Sequence, residues 1–307
     1  MLTAEQLDVR RGGIGSSDIA GVCGLSEWAS PLTVWLRKTG QDAGSDSLQL
    51  RIGSHMEPLI AALYTERTGD ALTNPDQVFR SGERPWQLAT PDRLRVRDDG
   101  IVELKNAYMA TGWGEEGTDD IPQEYVCQVQ WQMDVMGAEF AHVAAIVGRS
   151  FRLYSIRYDS DLCLALREAA ERFWTDYVVA GVQPPVSAND NDRAWLQGRF
   201  ASHSDKLLIA DESVEDMARR YRQARLMREA AEAEEDLAAN QLREFIGAAA
   251  GVNGERWKAT WKAPKPTNIV DWKAVAEELC ATPDVVAKHT SPKKNSRRFL
   301  FTWKGGE

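Results

Sequence analysis

The feature that most limits how this chain can fold is one short stretch, in which Pro91-Asp92 and Glu103-Leu104-Lys105 lie on either side of a turn. Asp92 and Glu103 stand eleven positions apart, and Asp98-Asp99-Gly100 between them supplies turn residues for a hairpin. Side chains alternate along a strand, so Glu103 and Lys105 project to one face and Leu104 to the other. Ile101-Val102 just ahead is apolar enough for a strand inside a sheet. A hairpin here returns Asp92 toward Glu103, with a register that sequence does not fix.

Two carboxylates, a strand carbonyl and a lysine suit one kind of chemistry. Mg²⁺ takes hard oxygen ligands and keeps several waters, so one or two carboxylates plus the Leu104 carbonyl suffice to hold it. Lys105 beside them can orient an attacking water, and the set fits phosphodiester hydrolysis. The competing reading is an exposed Glu/Lys strand pair next to a turn aspartate, which is common and nearly neutral in energy.

With 307 residues, 43% hydrophobic and 27% charged, the chain can bury one sizeable core and carry a second small unit. No apolar run approaches the roughly 20 residues that span a bilayer, and the first residues lack a signal-peptide apolar region, so a cytoplasmic protein of a bacterial host or prophage is expected. Cys23, Cys127, Cys163 and Cys280 are far apart, which suggests buried, reduced thiols and neither a zinc site nor a disulfide framework. The net charge of −9 is uneven. Residues 254–307 hold 11 Lys/Arg against 6 Asp/Glu, so the basic end is the C-terminus.

Helices and strands alternate up to about residue 183. Ser30-Pro31 reads as an N-cap with proline at the first helical position, and Gly40 closes that helix. A second helix is expected from near Pro58 to Gly69, a third from Pro122, and another over about 160–180. Strands are expected near 76–81, 86–91, 93–97, 101–105, 141–148 and 151–157. Pro184-Pro185 and the polar run after it mark a linker, 184–193, between a core of 1–183 and an extension of 194–307. The extension reads as a long helix over 211–246 with a weak apolar seam suited to a helical hairpin or an oligomer contact, then a small basic α/β segment.

Several segments, taken in order, resemble one family. They are Arg10 through Asp18 (RRGGIGSSD), Arg51 through Pro58 (RIGSHMEP), Thr90-Pro91-Asp92, Glu103-Leu104-Lys105 and Gln128 through Met133 (QVQWQM). Together they are similar to the YqaJ-type viral recombinases, phage-type alkaline exonucleases related to phage lambda exonuclease within the PD-(D/E)xK nuclease superfamily. The resemblance covers roughly residues 8–180. It implies an α/β fold, a PD-(D/E)xK nuclease core with a central mixed β-sheet flanked by helices. It implies a Mg²⁺-dependent 5′-to-3′ exonuclease on double-stranded DNA ends, using one or two ions for which Mn²⁺ can substitute. It also implies a single-strand annealing partner in recombination and assembly as a ring of three.

Carried over residue by residue, the resemblance makes Asp92, Glu103 and the Leu104 carbonyl metal ligands, with Glu57 binding directly or through water. Lys105 and Gln130 position the attacking water or the scissile phosphate, and Arg10, Ser17 and Thr90 receive the DNA 5′-phosphate. Other readings stand beside these. Glu57 also fits a helix cap, and Ser17 also fits the cap of the helix that follows it. Gln128 and Gln130 flank the apolar stripe of their helix equally, and family order alone favours Gln130. Arg10 and Arg11 are physically alike here, and the seven-residue offset to Ser17 favours Arg10.

Lys293, Lys294, Arg297 and Arg298, with Lys288 and Lys304, are candidates for phosphate contact from a basic tail. Trp257 and Trp261 fit a half-buried strand better than a base-stacking platform. Two other functions remain in view. One is a restriction or repair endonuclease on the same scaffold, and the other is a DNA-binding module without catalysis.

Overall fold

The computed structural model describes residues 4–41, 48–75, 77–263, 272–279 and 282–289. They fall into two units, residues 1–199 and 200–307. The first opens with helices α1 (Ala4–Arg11), α2 (Ile19–Val22), α3 (Pro31–Lys38) and α4 (Leu48–Thr68). Ser30 caps α3 through a capping box with Thr33, and Gly40 follows at φ 70°, so this helix starts and stops as the sequence predicts.

The central sheet has five strands, β1 (Leu72–Thr73), β4 (Arg93–Arg95), β5 (Ile101–Ala107), β6 (Phe140–Val147) and β7 (Ser150–Arg157), in that spatial order. It is mixed: β5 and β6 run parallel and every other neighbouring pair is antiparallel. A parallel pair needs a crossover, and α5 (Gln123–Met136) supplies it. The predicted strands near 76–81 and 86–91 shrink to β2 (Phe79–Arg80) and β3 (Leu88–Ala89), which pair with each other outside the main sheet. After β7 come α6 (Ser160–Phe173), a π-helical continuation over Trp174–Val179, and α7 (Asp190–Arg199).

The alternation of β5 sets the layers. Val102 and Leu104 point to one face and pack with Ile60 and Tyr64 of α4. Ile101 points to the other, with Val129 and Met133 of α5. Beyond α5 a second apolar cluster joins Ile14, Leu32, Trp35, Trp131, Leu166 and Phe173, so α5 is buried between the sheet and the N-terminal helices. Each such fully buried side chain contributes about 1.5–3 kcal/mol.

Two sequence expectations are corrected. The second helix begins at Leu48 and not near Pro58, so Pro58 lies inside α4 and Glu57 is a mid-helix residue, which removes its capping role. Proline suggests a helix start because its missing N–H is harmless only in the first turn. Residues 184–193 are a strap and not a linker. Asp192, fully buried, accepts from the Ser30 hydroxyl and from Ser187 N and Oγ at 2.6 and 2.8 Å. Asn189 Nδ2 donates to the carbonyls of Ser26 and Glu27, and Asn191 Nδ2 to that of Trp28. The polar side chains that suggested a loop bind backbone, and the compact unit ends at Arg199.

In the second unit α8 (Glu212–Ile246) is a 35-residue helix capped by Asp211. Its Arg225–Glu229 and Arg228–Glu232 pairs are spaced i,i+4, and its seam residues Val214, Met217 and Tyr221 are exposed. Then β8 (Gly251–Asn253) pairs with β9 (Lys258–Thr260), and α9 (Trp272–Glu278) and α10 (Pro283–Lys288) follow. Trp257 and Trp261 flank β9, each about half exposed, as the expectation of a half-buried strand has it. Lys288 is exposed; Lys293, Lys294, Arg297, Arg298 and Lys304 lie outside the described residues.

Candidate active site

The site forms where β4 parts from β5. Their ladder pairs Leu94 with Ile101 and Arg93 with Val102 and then stops. Continuing that register would set Pro91 opposite Leu104, and proline has no N–H to give. The Asp92 carboxylate serves as the acceptor that the ended ladder no longer brings to Leu104: its Oδ2 accepts from Leu104 N at 2.8 Å. N–H and C=O of one strand residue leave on the same side, so the Leu104 carbonyl faces this opening with no ladder donor from β4.

Glu103 is 1% exposed, on the β5 face that meets α5. Lys105 Nζ donates to its Oε1 at 2.7 Å and to Gln128 Oε1 at 3.0 Å. Gln128 Nε2 donates to the same Glu103 oxygen, and Gln132 Nε2 to the other at 2.8 Å. Gln128 and Gln132 are one helical turn apart, and both reach one carboxylate because positions i and i+4 share a helix face. The Lys105 ammonium also lies 4.8 Å from the Tyr125 ring centroid, a cation–π contact. Glu57, from α4, faces Arg93 at 3.9 Å and adds its charge to the field at Asp92.

The charges do not balance. Burial raises the Asp92 carboxyl well above the usual range, and Glu103 and Glu57 push it further, against Lys105 and the Leu104 amide. Burial opposes the Lys105 cation, but Glu103 and Asp92 outweigh it and hold the ammonium above the ordinary lysine range. Among the described residues no three His, Cys, Asp or Glu side chains form a ready metal cage. Two clustered carboxylates, a free strand carbonyl and a third acid nearby are nonetheless the hard-oxygen set that Mg²⁺ takes with retained waters. The residues present fit that ion.

Gln130 is not brought to this group. Two positions from Gln128 is about 200° around the helix, and Gln130 instead donates to Arg157 O at 2.6 Å and accepts from Asp159 N at 2.9 Å. Its place at Glu103 and Lys105 is taken by Gln128. The available signal was the four-residue spacing of Gln128 and Gln132, which puts two amides on one face and leaves Gln130 on another.

Arg10 and Ser17 do meet, the guanidinium donating to the hydroxyl, while Arg11 pairs with Asp8 at the surface. Their loop is built around Asp18, 3% exposed, which accepts from Gly15 N at 3.1 Å and faces Lys38 at 2.6 Å and Arg37 at 3.7 Å. Burial would raise the Asp18 carboxyl, but Lys38, Arg37 and Arg10 together hold it well below the usual range. Lys38 does not mirror it: burial wins there, and its ammonium sits below the ordinary lysine value despite Asp18. Lys38 also donates to Arg10 O at 2.8 Å, a link that sequence spacing gave no reason to expect.

The same loop is zipped to the strand that leads into Thr90. Ile14 N donates to Trp86 O and Leu88 N to Ile14 O, and a Cβ at Gly13 would lie 2.3 Å from the Trp86 carbonyl. Only glycine fits that approach. Thr90 itself is half-buried between β3 and Asp92.

Comparison with known proteins covers these residues. The sequence model of the YqaJ-like viral recombinase domain matches residues 5–139. The uncharacterized protein YqaJ of Bacillus subtilis (strain 168) is 30% identical over 309 residues, spanning 96% of this chain and 92% of that protein. An alkaline exonuclease, LHK-Exo, from Laribacter hongkongensis is 18% identical at a TM-score of 0.44, over 65% of this chain and 98% of that one. A phage related exonuclease from Haemophilus somnus 129PT is 13% identical at a TM-score of 0.43, over 55% and 96%. TM-scores this low leave the assignment to the sequence relatives. The domain match takes in every residue from Arg10 to Gln132 that builds the site, and the chain belongs to the YqaJ-like viral recombinase family.

Proposed function

We propose that this chain is a Mg²⁺-dependent DNA nuclease, a 5′-to-3′ exonuclease on double-stranded ends serving phage-type recombination with a single-strand annealing partner. The observation that carries the reading is the buried Glu103 carboxylate, tied to Lys105, Gln128 and Gln132 beside an Asp92 that occupies the broken ladder. Asp92, Glu103 and the Leu104 carbonyl would hold the ion, with Glu57 at its edge. When bound, Mg²⁺ supplies polarisation of the scissile phosphate and charge stabilisation on the leaving oxygen. Lys105 and Gln128 offer N–H and carbonyl groups to fix the attacking water. Arg10 and Ser17 offer a cation and a hydroxyl to a terminal phosphate, with Thr90 entering from the adjoining strand. A ring of three copies belongs to the same reading and rests on family membership.

The test is incubation with 5′-phosphorylated linear duplex and with closed circular DNA, in Mg²⁺ or EDTA. Degradation of the linear duplex alone, abolished by EDTA, is the expected result. Loss of the circle at a comparable rate would replace exonuclease by endonuclease.

A further inference from the structure

We infer that Gln132 is a positioning residue that links occupancy of the Arg10–Ser17 loop to the Glu103 carboxylate, so that a terminal 5′-phosphate sets turnover as well as affinity. This inference rests on the nuclease reading above. Gln132 is fully buried, and its amide nitrogen donates to two acceptors on different elements, Glu103 Oε2 at 2.8 Å on β5 and Ser16 Oγ at 3.4 Å in the loop. An amide nitrogen has two hydrogens, so both are committed.

Among the described residues the buried carbonyl oxygen of the same side chain has no hydrogen-bond partner. Buried polar groups are ordinarily paired, so an orphaned oxygen marks a side chain whose orientation is dictated from elsewhere. Here the dictate is charge: turning the amide over would aim its oxygen at the Glu103 carboxylate. Gln132 is thus pinned by the acid at one end and reports the position of Ser16 at the other.

Ser16 adjoins Ser17, whose hydroxyl accepts from Arg10. The neighbouring Trp131 holds the same loop from the same helix, its indole N–H reaching Ile14 O at 3.2 Å and Leu88 O at 3.0 Å. An anion drawn to Arg10 and Ser17 therefore pulls on a loop whose next residue shares a donor with the catalytic carboxylate. Small errors in the placement of reacting groups have large kinetic effects, which gives this contact its leverage.

The experiment compares duplexes with 5′-phosphoryl and 5′-hydroxyl ends, measuring kcat and KM separately with Mg²⁺ for the wild-type chain, Gln132→Leu, Ser16→Ala and the double variant. The wild type is expected to favour phosphoryl ends in kcat by about 10-fold or more. In Gln132→Leu and in Ser16→Ala that kcat ratio should collapse to about 1–2, while the KM preference, which Arg10 and Ser17 supply, persists. The double variant should match either single variant, because both break one link. A kcat ratio unchanged while both rates fall together assigns Gln132 a merely structural role and overturns the inference. So does a wild-type kcat that ignores the end. Should Gln132→Leu fail to fold, Ser16→Ala alone decides. A wild-type chain that cuts neither duplex overturns the nuclease reading itself, which separates the two failures.

Discussion

Two buried acids in this unit are treated in opposite ways. Asp18 is surrounded by Lys38, Arg37 and Arg10 and is held well below the ordinary carboxyl range. Asp92 faces Glu103 and Glu57 with Lys105 as the nearby compensating cation and is raised. A carboxylate whose charge the fold already satisfies is an anchor for its loop. A cluster left with surplus negative charge is a place where the fold expects a cation from outside. Residue type does not distinguish them; the count of surrounding charges does.

The sharpest way to break this contrast is through activity. Asp92→Asn and Lys105→Ala should each lower cleavage of end-labelled linear duplex by about 10³-fold in single-turnover assays. Survival of cleavage in either variant would misplace the site. Stability should respond in the reverse sense. Asp18→Asn leaves Lys38 buried without its charge partner and should cost about 3 kcal/mol in urea unfolding. Asp92→Asn removes one of several facing acids and should leave the metal-free protein no less stable, while abolishing the rise in melting temperature that Mg²⁺ is expected to give the wild type. Equal destabilisation by the two would erase the distinction.

The two glutamines refine it. Gln128→Ala should lower turnover roughly 10–100-fold, as loss of a group that supports ligand and water does. Gln130→Ala should leave turnover within about two-fold and cost about 1–3 kcal/mol of stability, because it strands Asp159 N and Arg157 O. The smallest effect is on acid tolerance. The folded Asp18 carboxyl titrates below its unfolded value of about 3.9, so its contribution is present above that pH and drains away as pH falls beneath it. Unfolding free energy measured from pH 5 down to pH 2 should therefore fall more steeply in the wild type than in Asp18→Asn.

Much of this arrangement is readable from local rules. Ser30-Pro31 caps its helix, Asp98-Asp99-Gly100 turns the chain with Asp99 at φ 53°, and the period of two puts Glu103 and Lys105 on one face. What is not readable is decided between elements. The spacing of Gln128 and Gln132 groups two amides on one face and sets Gln130 apart, but which of the two faces meets Glu103 is decided by the packing of α5 against β5 and α6. Pro58 looks like a helix start because its tolerance inside α4 is a property of the whole helix. Lys38 meets Asp18 across twenty residues of chain, and no pattern of spacing announces it.

The Asp192 strap sets the order in which the molecule can be completed. The Ser30 hydroxyl that opens α3 meets its acceptor 162 residues further along the chain, and the loop bearing Ser16 meets Gln132 across 116. Contacts that distant form late, since loop closure precedes any gain from them. During synthesis the earlier-made partner in each contact is thus among the last segments to settle. The loop assigned to gripping the DNA end takes its final shape only after the cutting strand and α5 have been made, and a fragment that stops at Gln183 lacks the residue that locks the entrance of α3.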